Sequence, residues 1–377
     1  RQAPLPDLFF SQFLTCSISY LFFSTALVKS KPMRINQFSR MLLAEWRKLK
    51  LPSSGDETVV VAVSGGADST ALLLAIEELK TNNKLYTGVC VAHLDHRLRK
   101  SSSKDAKWVA DLSAKLGFKS VIGRAKVLDD AEETNDNLEQ AAREARYAFL
   151  ERTAKKVSAN YVLTGHTMDD QAETVLMRLM RGSASLGLGG MEALRPLASN
   201  SSIKLVRPLL WARRSETEDY CRLRRIDFLS DEMNDDLTFA RVKVRKQLLP
   251  LMQSFNNRIV EAISRTASQL REDGAVLVND SDALLQRAAV SNEQSGETEV
   301  PALDVKVLAG APAALRRRAL RQWLSNARGG TRRLEMVHLL AVEKLLDGNG
   351  GGRVAELPSG GKVRRRRNRL EFESEND

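Results

Sequence analysis

Residues 59–63 read Val-Val-Val-Ala-Val and run through Ser64-Gly65-Gly66-Ala67-Asp68-Ser69 into a second apolar stretch ending at Leu74. A continuous β-branched run of this kind predicts a strand buried on both faces, as in a parallel sheet covered by helices. Residues 69–80 read as the helix that follows. A strand feeding a helix through a Gly-rich turn aims backbone N–H groups and the positive end of a helix at whatever lies above, which suits a phosphate. Gly65 and Gly66 lack the Cβ that would block an oxyanion, and Ser64 and Ser69 add hydroxyl donors. Asp68 cannot serve an anion directly. It reads as a ligand for Mg²⁺ or as an acceptor that fixes the loop.

No Gly-Lys-Ser/Thr follows this loop, and its spacing fails the G-x-G-x-x-G dinucleotide pattern. The wording Ser-Gly-Gly-x-Asp-Ser resembles the pyrophosphate loop of the PP-loop ATPases, which split ATP into AMP and pyrophosphate and leave AMP on a substrate oxygen. ATP and Mg²⁺ are the cofactors that this resemblance implies, with loop residues 64–69, Ala67 included, around the nucleotide.

Further strand ends carry polar clusters. Residues 86–92 predict a strand that runs into His93-Leu94-Asp95-His96-Arg97-Leu98-Arg99, where open α/β sheets place ligands. The His93-x-x-His96 spacing on a loop fixes no common face, so a metal site there is disfavoured. A helix over 106–116, a strand over 119–127 and a polar loop over 129–136 follow. On the next helix Glu139, Arg143, Arg146 and Tyr147 share a face, although a surface ion-pair ladder would look the same. Residues 161–174 then give a short strand, the turn Gly165-His166, and a helix start with Asp169, Asp170, Gln171 and Glu173. Capping explains one aspartate but not the whole set. A Gly-rich stretch at 181–191 predicts a mobile loop, 205–210 a last strand, and 215–225 a helix capped by Ser215. The alternation predicts an α/β fold, a doubly wound parallel sheet over 58–228.

The ordered motifs SGGADS, AHLDHRLR, EQAAREARY, GHTMDDQAET, LGLGGM, RPLL and DEMNDDLTFARVKVRKQLLP resemble those of the bacterial tRNA(Ile)-lysidine synthetases over residues 60–250. The resemblance implies lysidine formation at the wobble cytidine of the isoleucine tRNA with anticodon CAU. ATP adenylates the cytosine 2-oxygen, and the ε-amine of free L-lysine then displaces AMP. It places Asp169 first among essential carboxylates, with Asp170 and Glu173 in support. Arg143 or Arg146 and Arg241 would serve the adenylate or the tRNA, Arg245 the substrate, and His93, His96, Arg99, Gly165 and His166 the nucleotide. One departure stands out. The family reads Arg-Asn-x-Ile/Leu-Arg where this chain has Arg241-Val242-Lys243-Val244-Arg245, and Ser-Asn where it has Met233-Asn234.

The formal charge of +11 over 377 residues also suggests a polyanionic partner. Cys16, Cys90 and Cys221 form no C-x-x-C pair, which argues for a reducing compartment and against Cys-ligated clusters; the resemblance implies the cytoplasm of a bacterium. Expected units are a leader over 1–32 upstream of Met33, an ATPase domain over 33–232, a helical connection over 233–300 with a polar linker from 279, and a small C-terminal substrate-binding domain over 301–377. Residues 8–28 are uncharged and long enough for a signal segment or membrane span as alternatives to a leader. Arg316, Arg317, Arg332, Arg333 and the run 364–367 suggest a basic face that grips tRNA phosphates, with a frayed tail from 371. No protein partner is implied beyond an open question of homodimerisation. A tRNA 2-thiolase of the same ATPase family and a catalytically idle tRNA-binding protein remain alternatives, the first disfavoured by the absent cysteine pairs and the second by the intact loop motifs.

Overall fold

The structure is a computed structural model that describes residues 35–95, 102–125, 138–198, 200–229, 236–290, 300–330, 333–348, 352–358 and 360–374. The expected leader over 1–32, His96, Arg99, Met233, Asn234, Arg332 and the side chain of Glu139 lie outside the described residues. No helix among the described residues is long and apolar enough to cross a membrane.

Six strands form the first sheet: β1 (Thr58–Ala62), β2 (Gly88–Asp95), β3 (Lys119–Arg124), β4 (Tyr161–Thr164), β5 (Leu194–Pro196) and β6 (Lys204–Val206). Their order is β3-β2-β1-β4-β6-β5, parallel throughout except for β5. The period of two along each strand divides the interior into two cores. Val59, Val61, Val63, Val91, Leu163 and Val206 face one, against α1 (Gln37–Lys48), α2 (Ala67–Thr81) and α7 (Arg214–Leu223). Val60, Cys90, Ala92, Val162 and Leu205 face the other, against Phe149, Leu150 and Ala154 of α4 (Leu138–Lys156). Helix α2 lies between the sheet and α7, so residues 71–76 are wholly buried and apolar on every side.

The chain winds from β1 outward to β2 and β3, through α3 (Ser102–Lys115) between them, and then returns to β4 on the other side of β1. The reversal leaves a crevice above the carboxyl ends of β1 and β4, where such sheets bind ligands. The turn before α2 and the turn before α5 (Met168–Met180) flank it.

Beyond the sheet, α8 (Ala240–Lys243), a π-helical turn (Val244–Leu248) and α9 (Leu249–Phe255) run on without a break. Pro250 has no N–H to give to a carbonyl four residues back, which accounts for a wider turn just before it. The long α10 (Ile259–Ala288) packs on α5 and on the short α6 (Ser185–Leu188). It ends in a second core, with Leu284 and Ala288 meeting α11 (Val305–Ala309), α12 (Ala313–Arg328), α13 (Met336–Glu343) and an antiparallel sheet of β7 (Ala289–Val290), β8 (Ala302–Asp304), β9 (Val354–Glu356), β10 (Lys362–Arg366) and β11 (Arg369–Glu373) in the order β7-β8-β11-β10-β9.

Several elements differ from the sequence reading. Strand β2 extends through His93 to Asp95, and α3 starts at Ser102. The strand expected over 205–210 stops at Val206, where pairing with β4 ends, although the Arg207 N–H still bonds the Ala193 carbonyl beside the three-residue edge strand β5, an element absent from the sequence reading. Helix α7 starts at Arg214, capped through the Arg213 N–H and the Glu216 carboxylate (2.8 Å), with Ser215 inside it. The linker expected from 279 is helix as far as Ala288, because Leu284 and Ala288 belong to the second core. The expected tail begins as strand β11 (Arg369–Glu373), anchored by buried Leu370.

Gly165 brings the two turns into register. A Cβ on it would lie 2.7 Å from the Ser69 amide nitrogen and 2.8 Å from the Asp68 carbonyl carbon, both backbone atoms that cannot rotate away. Gly165→Ala is expected to destabilise the fold by roughly 1–3 kcal/mol, read as a lowered urea midpoint; an unchanged midpoint would mean that the turns do not meet this closely.

Candidate active site

The loop at residues 64–69 is shaped by its own hydroxyls. Ser69 Oγ accepts from the Ser64 N–H (3.1 Å) and donates to the Gly66 carbonyl (3.1 Å), while Thr70 Oγ1 donates to the Gly65 carbonyl (3.2 Å). Gly65 has φ +94°, a conformation that favours glycine, and its carbonyl accepts from the Leu229 N–H (2.9 Å). Gly66 is the N-cap of α2 and gives it no side-chain cap. The first-turn N–H groups, from Ala67 onward, have no intrahelical acceptor and are open to an anion. Ser69 is thereby committed to bracing the turn, whereas the Ser64 side chain is exposed.

Asp68 leans across to α7, accepting from Thr217 Oγ1 and from Arg214 Nε (3.3 Å). Burial raises its pKa to about 6, with Asp170 adding and Arg214 and Thr217 opposing. Arg214 also reaches Asp170 (2.9 Å) and Glu173 (3.2 Å). From the π-turn side, Arg241 contacts Glu173 (2.7 Å) and Asp170 (3.1 Å), and Arg245 forks onto Glu173 (2.7 and 3.1 Å). Arg241 and Arg245 lie one turn apart, while Val242 and Val244 between them point into the core. Burial alone would raise both carboxyls. The arginines win, and Asp170 and Glu173 are held below the ordinary carboxylate range. Asp170 also completes the cap of α5 by accepting from the Thr167 N–H (2.9 Å).

Asp169 stands one layer back. Its oxygens accept from Arg213 (3.1 and 3.2 Å) and from the Arg214 N–H (2.8 Å), and Arg213 continues to Glu261 on α10 (2.7 Å). Arg213 and Arg214, which hold this arrangement together, were not singled out in the sequence. The signal was present as two adjacent cations at the start of a helix that follows a strand end.

His93 is buried in β2, where Nδ1 donates to the Val63 carbonyl (2.8 Å). His166 pairs with Thr164 Oγ1 (2.9 Å), and burial lowers its pKa to about 4. Arg146 is exposed on α4 and its charge reaches His166, while Arg143 stacks on Tyr147.

Within the stretch 181–191, expected to be mobile, Ser185–Leu188 is helix α6 and residues 187–191 are pinned. Gln171 exchanges two hydrogen bonds with the Met191 backbone, Arg178 donates to the Gly187 and Gly190 carbonyls, and Arg271 to those of Gly189 and Met191. In the C-terminal unit Arg316 and Arg317 both pair with Glu343 (2.8 Å each through Nε), and Arg333 is exposed. Within the run 364–367, Arg365 is buried on backbone carbonyls and Arg364 and Arg366 pair with Glu373.

An ATP-bound Mg²⁺ takes one or two carboxylates beside phosphate and water oxygens. Asp68, a poorly compensated carboxylate beside the open amides of α2, fits that need. Among the described residues no group of three or more His, Cys, Asp or Glu side chains makes an all-protein metal site.

Residues 36–252 match the PP-loop domain family and residues 303–371 the TilS substrate-binding domain family. The tRNA(Ile)-lysidine synthase of Rhodococcus erythropolis is 41% identical over 300 residues, covering 79% of this chain and 82% of that protein. That of Gloeobacter violaceus is 38% identical over 294 residues, covering 77% and 82%. Against the Geobacter sulfurreducens enzyme the identity is 37% over 318 residues, and the chain spans 65% of that relative's length. In fold, the structure resembles the U34-tRNA thiolase of Methanococcus maripaludis, with a TM-score of 0.51 at 16% identity over 62% of this chain and 79% of that one. The chain belongs to the tRNA(Ile)-lysidine synthase family and is built on its PP-loop domain.

Proposed function

We propose that this chain joins free L-lysine to the wobble cytidine of the isoleucine tRNA with anticodon CAU, at the expense of ATP. The observation that carries the reading is the adjacency of two unlike sites in one crevice: uncapped amides at the start of α2, and the alternating charges of Asp170, Glu173, Arg214, Arg241 and Arg245. The amides suit polyphosphate. The alternating charges suit a zwitterion that carries an extra ammonium group.

In the first step the cytosine 2-oxygen attacks the α-phosphorus of ATP and pyrophosphate leaves. The amides of residues 67–69 stabilise the charge that develops on the leaving group. Mg²⁺, held on the phosphates and Asp68, would supply further charge neutralisation. We assign His93, buried in β2, and His166, just after β4, to the nucleotide side of the crevice. In the second step the lysine ε-amine attacks C2, the C2–O bond to AMP breaks, and the amine gives up a proton. Free lysine is almost wholly ammonium at neutral pH, so a carboxylate must orient it and favour proton loss. Asp170 and Glu173 take that position, with Arg241 and Arg245 toward the lysine carboxylate. Asp169, the first choice from the sequence, lies outside the cluster of the Arg214, Arg241 and Arg245 guanidinium groups and meets Arg213 and the Arg214 backbone N–H, and we assign it to holding the turn that carries Arg214.

Mass spectrometry of the wobble nucleoside, after incubation with tRNA, ATP, Mg²⁺ and lysine, is expected to show a lysyl mass gain that needs both ATP and lysine. AMP release without lysine incorporation would remove lysine as the nucleophile. Asp170→Asn is expected to lower kcat/KM for lysine by about 100-fold or more, and Asp169→Asn by about tenfold. The reverse order would return the essential role to Asp169.

A pH dependence follows from Asp68. Folding raises its pKa from 3.8 to about 6, so the folded chain holds this proton more tightly than the unfolded one. Its contribution to stability is full below about pH 4 and is lost as the pH rises through about 6. Between pH 4 and 7 the protein should therefore lose roughly 2 kcal/mol relative to Asp68→Asn in urea unfolding. A constant difference over that range would show that Asp68 does not titrate there.

A further inference from the structure

Arg207, just past β6, is 3% exposed. It donates to the Glu192 carbonyl (2.6 Å) and bonds Tyr147, yet its Nε has no hydrogen-bond partner among the described residues. A buried donor left open in this way calls for a missing partner. Two further guanidinium groups lie over the Tyr147 ring, Arg143 at 5.0 Å and Arg195 at 5.4 Å from its centroid. Among the described residues no carboxylate pairs with Arg143, Arg195 or Arg207. Like charges crowd here without compensation. Burial, with Arg195 and Arg143 adding, lowers the Arg207 pKa to about 10; burial alone would raise the Tyr147 hydroxyl, yet Arg143, Arg207 and Arg195 pull it below its ordinary value.

We propose that Arg143, Arg195, Arg207 and Tyr147 form a second phosphate site, which takes a backbone phosphate of the tRNA beside the reacting nucleotide. The inference rests on the function proposed above. Planar guanidinium forks match phosphate oxygens, and the cluster lies at the carboxyl end of β6, close enough for Arg207 to act on His166. Strand β6 is two positions from β1 in the sheet, or about 10 Å, so a phosphate seated here is not one held by the loop at 64–69. The C-terminal Arg316, Arg317, Arg364 and Arg366, in contrast, already have carboxylate partners.

The test compares the unaltered protein with Arg195→Gln and Arg195→Lys, measuring tRNA affinity across a salt series and ATP affinity separately. Arg195→Gln is expected to weaken tRNA binding roughly five- to tenfold at low salt and to flatten the log–log salt slope by about 0.7–1, the loss of one phosphate contact. ATP affinity should stay within about twofold, and Arg195→Lys should recover the slope. Should thermal melting show that Arg195→Gln is misfolded, Arg143→Gln on the exposed face of α4 gives the same slope readout. An unchanged slope overturns the site, and weakened ATP binding with an unchanged slope assigns the phosphate to the nucleotide instead. If the unaltered protein fails to bind tRNA, the functional reading falls before any variant is measured, and this site falls with it.

Discussion

Arg214 is the side chain on which the crevice depends. One guanidinium meets Asp68 from the first turn of α2 and Asp170 and Glu173 from α5. Without it, three carboxylates at two neighbouring strand ends would face one another in a partly dry site. Each buried ion costs several kcal/mol of desolvation, and only close opposite charges return it. The arrangement therefore cannot be made by the sheet alone. It needs α7 to bring in Arg214 and the continuous α8 and π turn to bring in Arg241 and Arg245, so the order of the chain beyond β6 is tied to the geometry of the turns at β1 and β4.

That dependence explains which parts of the molecule the sequence revealed. Strand β1 and helix α2 were legible because burial on all sides demands an unbroken apolar run, as residues 59–63 and 71–76 have. The acids at Asp68, Asp170 and Glu173 were legible because motif and position coincide at strand ends. Arg213 and Arg214 were not, since a pair of cations before a helix looks like surface charge until its partners, some 40 and 146 residues away, are known. Asp169 and Asp170 show the same limit. Adjacent on one helical turn, they point to different neighbours, and only the packing of α7 decides which one enters the crevice.

The loop at 187–191 was misread for a related reason. Glycine usually signals freedom, but here it signals close approach: a Cβ on Gly190 would lie 2.6 Å from the Gln171 amide oxygen. The backbone comes near enough for Gln171, Arg178 and Arg271 to bind its carbonyls and amide directly. Since Arg271 belongs to α10 and Gln171 follows Asp170, this contact also joins the long helix to the crevice. Arg318 on α12 adds a hydrogen bond to Ser185 (2.6 Å) at the start of α6, so the C-terminal unit is fastened to the same small segment.

Net charge is a poor guide to where such a protein holds an anion, because paired cations count in the total and contribute little to the field. Arg316 and Arg317 share Glu343, and Arg364 and Arg366 share Glu373, so much of the C-terminal basic run is neutralised locally. A guanidinium that accepts burial without a carboxylate, as Arg207 does, gains only its bonds to the Glu192 carbonyl and Tyr147 in return. Replacing a buried ion cluster by apolar residues often leaves stability unchanged or higher, so stability alone does not account for either group of charges in the crevice. The paired set around Arg214 and the unpaired set around Tyr147 differ in one respect that matters for chemistry. The first presents both signs and can exchange partners with a zwitterion, whereas the second presents one sign and is completed only by an anion from outside.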